Sequence, residues 1–155
     1  MARHYIQGYF KPKRPEKYVG DINNIYYRSS WELKFLNWCD SNPSVLKYNN
    51  EELVIPYISP VDKRPHRYFV DFVIMVKTRT NEIKKYAVEI KPNIQRSAPR
   101  SNGKKTKKYL TEMATYVVNT EKWKAADLFC QRNNMDFIVL DEYDLGIKTR
   151  PQNGM

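Results

Sequence analysis

Apolar positions along the chain change their period several times, and each change marks an element. Trp31, Phe35, Trp38 and Cys39 recur at i, i+4, i+7 and i+8, the stripe of an amphipathic helix. Ser29 and Glu32 form Ser-x-x-Glu, a capping box for its start, and Asn42-Pro43 ends it. Residues 45–57, 68–77 and 83–91 are rich in Val, Ile and Tyr and predict three strands. Apart from Asp71, the run from Tyr68 to Val76 is almost continuously apolar, as in a strand covered on both faces. The short polar stretch 78–82 predicts a hairpin between the second and third strands. Residues 92–103, with prolines and a glycine but little apolar content, predict a loop. Lys104, Lys105, Lys107 and Lys108 lead into a helix with Tyr109, Met113, Tyr116 and Val117 on one face. Asn119-Thr120 predicts a break and a fresh cap, and Trp123, Ala126, Phe129 and Cys130 form a third helical stripe. Residues 136–145, containing Phe137-Ile138-Val139-Leu140, predict the last strand.

This order describes a single α/β domain, a small mixed sheet flanked by helices. A chain of 155 residues suits one domain, and 41% hydrophobic residues exclude wholesale disorder. The division expected is a basic N-terminal arm over 1–22, the folded domain over 23–145 and a polar tail over 146–155. Pro12, Pro15 and the absence of a period make the arm extended, laid over the domain or along a ligand backbone. No apolar run approaches the ~20 residues of a bilayer span, so no membrane partner is expected. Met1–Tyr5 has no apolar stretch behind it and does not read as a secretory signal. The expectation is an intracellular protein.

Charge then narrows the partners. Lys and Arg number 27 against 17 Asp and Glu, a formal net charge of +10. With 12 Tyr, 3 Trp and 6 Phe interleaved, a polyanion that can also be stacked upon is the fitting partner, and nucleic acid is the commonest. Cys39 and Cys130 are far apart, and His4 and His66 are isolated. None has the neighbours of a zinc site, so the cysteines read as buried thiols on helices. Nothing points to a small-molecule substrate.

Candidate chemistry comes from the predicted hairpin. Glu89 and Lys91 project from one face of their strand, because side chains alternate. Asp71 and Glu89 lie equidistant from residue 80, inside the turn, so the hairpin sets them nearly opposite. Two carboxylates that close repel unless a cation lies between them. Mg²⁺ takes oxygen ligands and keeps several waters. Asp71, Glu89 and the Ile90 carbonyl suffice for it, and Glu32 could add a ligand from across the sheet. Such a metal polarises a phosphate and acidifies a bound water, while Lys91 orients that water and offsets charge on the phosphorane. Glu32 has a second reading, as the helix cap alone.

Asp71, seventeen residues and then Glu89-x-Lys91 resemble the PD-(D/E)xK nuclease motif. Glu32 matches the glutamate that such enzymes often carry on their first helix, while Val70 stands where the motif often has proline. The element order also resembles this restriction-endonuclease-like superfamily, TnsA-type transposon-end nucleases in particular. Longer stretches resemble the head-completion proteins of T-even-type tailed phages: Gly8–Pro12, Tyr27–Lys34, Ile55–Tyr57, His66–Phe72 and Glu89–Pro92. The resemblance implies a Mg²⁺-dependent DNA endonuclease, with Mn²⁺ as possible substitute, acting on the filled head before tail joining. It implies portal or neck proteins as partners and assembly in the host cytoplasm, with retention in the virion left open. A rival reading is a non-catalytic DNA-binding protein that plugs or caps the head; a third is a basic nucleic-acid-binding module with no viral role.

For DNA contact the candidates are Lys11, Lys13 and Arg14 in the arm, and Arg96, Arg100, Lys104, Lys105, Lys107 and Lys108 after the motif strand. These last read equally as a solvated loop and helix start. Lysines at a helix N-terminus oppose the macrodipole, a conflict that a bound phosphate would relieve. Gln95 and Tyr109 could line the groove or be ordinary surface and packing positions. Trp31, Trp38 and Trp123 fall on core stripes and read as packing.

Overall fold

The computed structural model describes residues 6–101 and 103–150. The parts of the arm and tail at 1–5 and 151–155, including the signal reading and His4, lie outside the described residues. The elements in chain order are β1 (Gly8–Tyr9), β2 (Tyr26–Tyr27), α1 (Ser30–Ser41), β3 (Val45–Asn50), β4 (Val54–Ile58), β5 (Pro65–Phe69), β6 (Phe72–Lys77), β7 (Ile83–Ile90), α2 (Lys107–Arg132) and β8 (Asp136–Leu140). Short 3₁₀ turns cover Pro15–Lys17 and Asn93–Arg96.

The main sheet has the order β3-β6-β7-β8. β6 pairs antiparallel with β3 and β7, and β8 joins β7 in parallel. That parallel return needs a crossover, which α2 supplies. Alternation along the strands separates two cores. Phe72, Ile74 and Val88 meet Phe35, Leu36 and Cys39 of α1, while Val70 and Ala87 meet Ala126 and Cys130 of α2. The domain is therefore a helix–sheet–helix sandwich, and both cysteines are buried in it as free thiols.

Two expected strands are each broken once, and the breaks coincide. Residues 45–57 and 68–77 form one long bent hairpin in which Glu51–Leu53 face only Val70 and Asp71. Glu51 N–H donates to the Asp71 carbonyl (2.9 Å) and Val70 N–H to the Leu53 carbonyl (3.0 Å), closing the irregularity from both sides. Glu51 takes φ +56° to make the bend. Such a bulge disrupts the ladder and re-aims a side chain, here that of Asp71. Beyond it β4 and β5 form their own ladder, where Pro56 is tolerated because the pair is an edge.

The break expected at Asn119-Thr120 is absent: α2 runs unbroken for 26 residues. Asn119 is buried instead of capping, and Thr120 Oγ1 donates back to the Tyr116 carbonyl (2.9 Å). The lysines lead into α2 as expected: Thr106 is its cap, Lys104 and Lys105 precede it, and Lys107 and Lys108 open it. The last strand stops at Leu140, where Asp141 accepts turn N–H bonds from Tyr143 and Asp144. Trp38 is a further correction. It is 45% exposed and stacks on Phe35 at the rim of the core.

The N-terminal stretch lies over the domain. Phe10, Tyr18 and Ile25 are core residues. Lys17 is buried with its ammonium donating to the carbonyls of Cys39 (2.6 Å), Asp40 (3.0 Å) and Asn42 (2.9 Å). The Cys39 and Asp40 carbonyls belong to the last turn of α1 and that of Asn42 follows it, so the arm caps the helix that carries Glu32.

Candidate active site

The β6–β7 register pairs Phe72 with Val88, so Asp71 and Glu89 stand at the next rung, as their symmetry about the turn requires. The bulge has taken Asp71 out of the main-chain ladder there. Its side chain replaces the missing rung, with Oδ2 accepting the Ile90 N–H at 2.8 Å. In an extended strand the carbonyl leaves on the same edge as the N–H, so the Ile90 oxygen faces the same side.

Glu89 is 6% exposed. Its Oε1 accepts the Tyr68 hydroxyl at 2.7 Å, and the Lys91 ammonium lies 3.9 Å from Oε2. Burial pushes both carboxyls up, and the Glu89 charge drives Asp71 well above the usual range. The Tyr68 hydroxyl, Lys91, Lys122 and a hydrogen bond with Asp71 pull Glu89 part of the way back. Two acids share one buried corner, and their full ionisation needs a cation.

Glu32 closes its capping box: its N–H donates to Ser29 Oγ (3.1 Å) while its Oε1 accepts the Arg28 N–H (3.1 Å). Burial raises its carboxyl to about 7, with Asp71 and Glu51 adding and the Arg28 N–H opposing. Glu32 is thus near enough to feel Asp71. Among the described residues, however, no three His, Cys, Asp or Glu side chains gather as a metal cage. The donor set brought together is two carboxylates with a main-chain oxygen, which fits a hard cation that keeps most of its waters.

The basic candidates divide. Lys13 and Arg14 give their N–H groups to Asp40 at the far end of α1, about 12 Å along the helix from Glu32. The structure does not bring these residues of the arm to the carboxylates. Arg96 follows the motif strand but pairs with buried Asp141 (3.0 Å) and with Asp144 (3.8 Å). Asn93 joins the same clamp, its N–H donating to Glu142 and its side chain to Asp141, which pins the turn after Lys91. Lys11, Arg100, Lys104, Lys105, Lys107 and Lys108 are exposed, as is Gln95, while Tyr109 is half-buried. His66 pairs with Asp62 (2.8 Å) in the β4–β5 hairpin.

Four residues went unnoticed in the sequence. Tyr68 holds Glu89; its only signal was a phenol in an apolar run, which burial obliges to find a partner. Lys122 reaches from α2 over the rings of Tyr68 (5.5 Å) and Tyr57 (5.9 Å). Arg28 and Glu51 pair at 3.2 Å beside Asp71. No local pattern marks these three, because the bulge and the helix crossover bring them in.

The order of elements and the placement of an Asp…Glu-x-Lys set at the bent end of a mixed sheet define a restriction-endonuclease-like domain. Residues 42–142 match the model of the TnsA-like endonuclease N-terminal domain, and the chain belongs to this family. Over 139 residues it is 35% identical to the head completion nuclease of Enterobacteria phage T4, covering 87% of this chain and 90% of that protein. No solved structure matches the chain significantly. The family match includes Asp71, Glu89 and Lys91, while Glu32 lies N-terminal to it.

Proposed function

We propose that this protein is a Mg²⁺-dependent DNA endonuclease that hydrolyses phosphodiester bonds during phage head completion, after DNA is packaged. The observation carrying the reading is the pair of half-buried Asp71 and buried Glu89 at one rung, with Asp71 bonded to the Ile90 N–H and Lys91 beside Glu89. The family and the T4 relative supply the reaction class and the biological setting. Asp71, Glu89 and the Ile90 carbonyl would hold the metal, with Glu32 as a further ligand. Bound there, it would supply Lewis-acid polarisation of the phosphate and a more acidic water.

The chain's own groups do the rest. Tyr68 fixes the Glu89 carboxylate in one orientation, and the Asn93–Asp141–Arg96 clamp fixes the backbone after Lys91. Lys91 hydrogen-bonds the attacking water and offsets charge that grows on the phosphorane oxygens. Attack is in line, with water as nucleophile and no covalent intermediate. Portal or neck proteins are the partners that would present the DNA, and host cytoplasm is the place of assembly. No helix among the described residues is long and apolar enough to cross a membrane.

The test is incubation of the pure protein with supercoiled plasmid. Nicked and linear DNA are expected with Mg²⁺ or Mn²⁺, and none with excess chelator. Salt-sensitive binding without cutting in either metal would instead favour the rival, a protein that plugs the head. A second measurement concerns the exposed lysines. Reversing the charge of Lys104, Lys105, Lys107 and Lys108 together is expected to weaken binding at low salt. It should also flatten the dependence of affinity on salt by about one unit of slope per lost phosphate contact. An unchanged slope would remove these residues from the DNA interface.

A further inference from the structure

Tyr9 pairs with Tyr26 and Gly8 with Tyr27 in the β1–β2 ladder. Alternation gives this ladder two faces. Gly8 and Tyr27 turn inward, where Tyr27 packs on the core and a Cβ at Gly8 would stand 2.8 Å from the Tyr27 hydroxyl. Gln7, Tyr9, Tyr26 and Arg28 share the outer face.

That face is organised. Tyr9 is 62% exposed and meets the Tyr26 ring edge-on at 5.2 Å. The Tyr26 hydroxyl donates to Gln7 Oε1 at 2.8 Å. The Arg28 guanidinium lies 5.3 Å from the Tyr26 ring centre and is held by Glu51 through Nε (3.2 Å) and Nη2 (3.3 Å). A single exposed tyrosine needs no explanation. The two tyrosine rings meet at an interplanar angle of 66°, with a guanidinium held over Tyr26 and the Tyr9 ring turned largely to solvent.

Its position gives it meaning. Arg28 donates its N–H to Glu32 and its guanidinium to Glu51, and the Glu51 N–H donates to the Asp71 carbonyl at 2.9 Å. Short hydrogen-bonded links therefore tie this face to the carboxylate corner. An exposed aromatic ring near a cation, in a chain of net charge +10, suits nucleobases joined by phosphates. In duplex DNA those bases are stacked on one another and closed to Tyr9.

We propose that the outer face of the β1–β2 ladder, centred on Tyr9, stacks the unpaired nucleotides of a DNA end delivered to the Asp71–Glu89 corner. The inference rests on the DNA substrate argued above. Tyr9 supplies the open ring, Tyr26 buttresses it, and Arg28 holds Tyr26 and adds charge for the neighbouring phosphate. The protein thereby distinguishes frayed or overhanging ends from closed duplex.

The experiment measures binding without cutting, by fluorescence anisotropy of the full chain in chelator. Three labelled DNAs share one duplex: blunt, with a 3′ overhang and with a 5′ overhang. Wild type is expected to bind one overhang more tightly than the blunt duplex, and which one fixes the strand polarity. Tyr9→Ala should lose about tenfold on that overhang and leave blunt affinity within about twofold, while Tyr9→Phe keeps the preference. Equal affinity of wild type for all three DNAs overturns the proposal, and so does uniform weakening by Tyr9→Ala. A protein that prefers overhangs through Tyr9 but never cuts plasmid keeps this inference and loses the nuclease reading. One that cuts but ignores overhangs does the reverse.

Discussion

Asp71→Asn is expected to abolish plasmid nicking, a loss of about 10³-fold or more, while leaving the protein at least as stable as wild type. Both halves follow from the rung that Asp71 completes. Asn keeps an oxygen for the Ile90 N–H and presents an amide N–H where Asp71 faces Glu89, so the bulge and the ladder end survive. It also removes one of two like-charged acids from a corner where burial already disfavours the charged form. The folded state gains and the cation loses its holder. Thermal melting separates the effects: Mg²⁺ or Ca²⁺ should raise the midpoint of wild type by mass action and leave that of Asp71→Asn unmoved. Lys91→Ala should cut about 10²-fold more slowly yet still show the metal-induced rise, because it acts on water and phosphate. Equal nicking by wild type and Asp71→Asn would end the assignment of this corner as the active site.

Much of that corner was legible because it depends on local signals. The turn at 78–82 fixes the register, and Thr78 and Glu82 indeed close it by a main-chain bond of 2.8 Å. With the register set, alternation puts Glu89 and Lys91 on one face and Asp71 at the opposite rung, and the bulge then aims the Asp71 side chain. The bulge was hidden, because Glu51–Leu53 and Val70 look like ordinary members of apolar strands and the irregularity exists only in their mismatch. Asn119-Thr120 carries genuine capping chemistry, but packing of α2 across β4, β7 and β8 outweighs a local preference. The burial of residues in the arm was hidden for a related reason. Phe10, Tyr18 and Ile25 have no common period, so their burial could not be read as an element. Lys17 likewise carries no local signal that it caps the end of α1.

Glu32 is the residue on which sequence and structure leave two roles, and one substitution separates them. Glu32→Gln preserves the capping box, since a glutamine oxygen accepts the Arg28 N–H equally well. A residue that only caps would therefore tolerate the change. As a metal ligand, Glu32 loses its charge, and nicking should fall by about 10²-fold. Its titration gives a readout independent of activity. Burial and the charges of Asp71 and Glu51 raise the folded carboxyl from 4.5 to about 7. Across that window the native state holds a proton that the unfolded chain has released, so stability present at pH 4 is lost as pH rises towards 8. The loss from Glu32 is of order 3 kcal/mol at most. Asp71 and Glu89 are shifted in the same direction and steepen the fall. In urea denaturation with chelator present, Glu32→Gln should match wild type near pH 4.5 and exceed it at pH 8. Added Mg²⁺ should close the gap at pH 8 by stabilising wild type. Parallel stability curves for the two proteins from pH 4.5 to 8 would show that Glu32 does not share the electrostatics of the corner, and would leave it as the cap of α1.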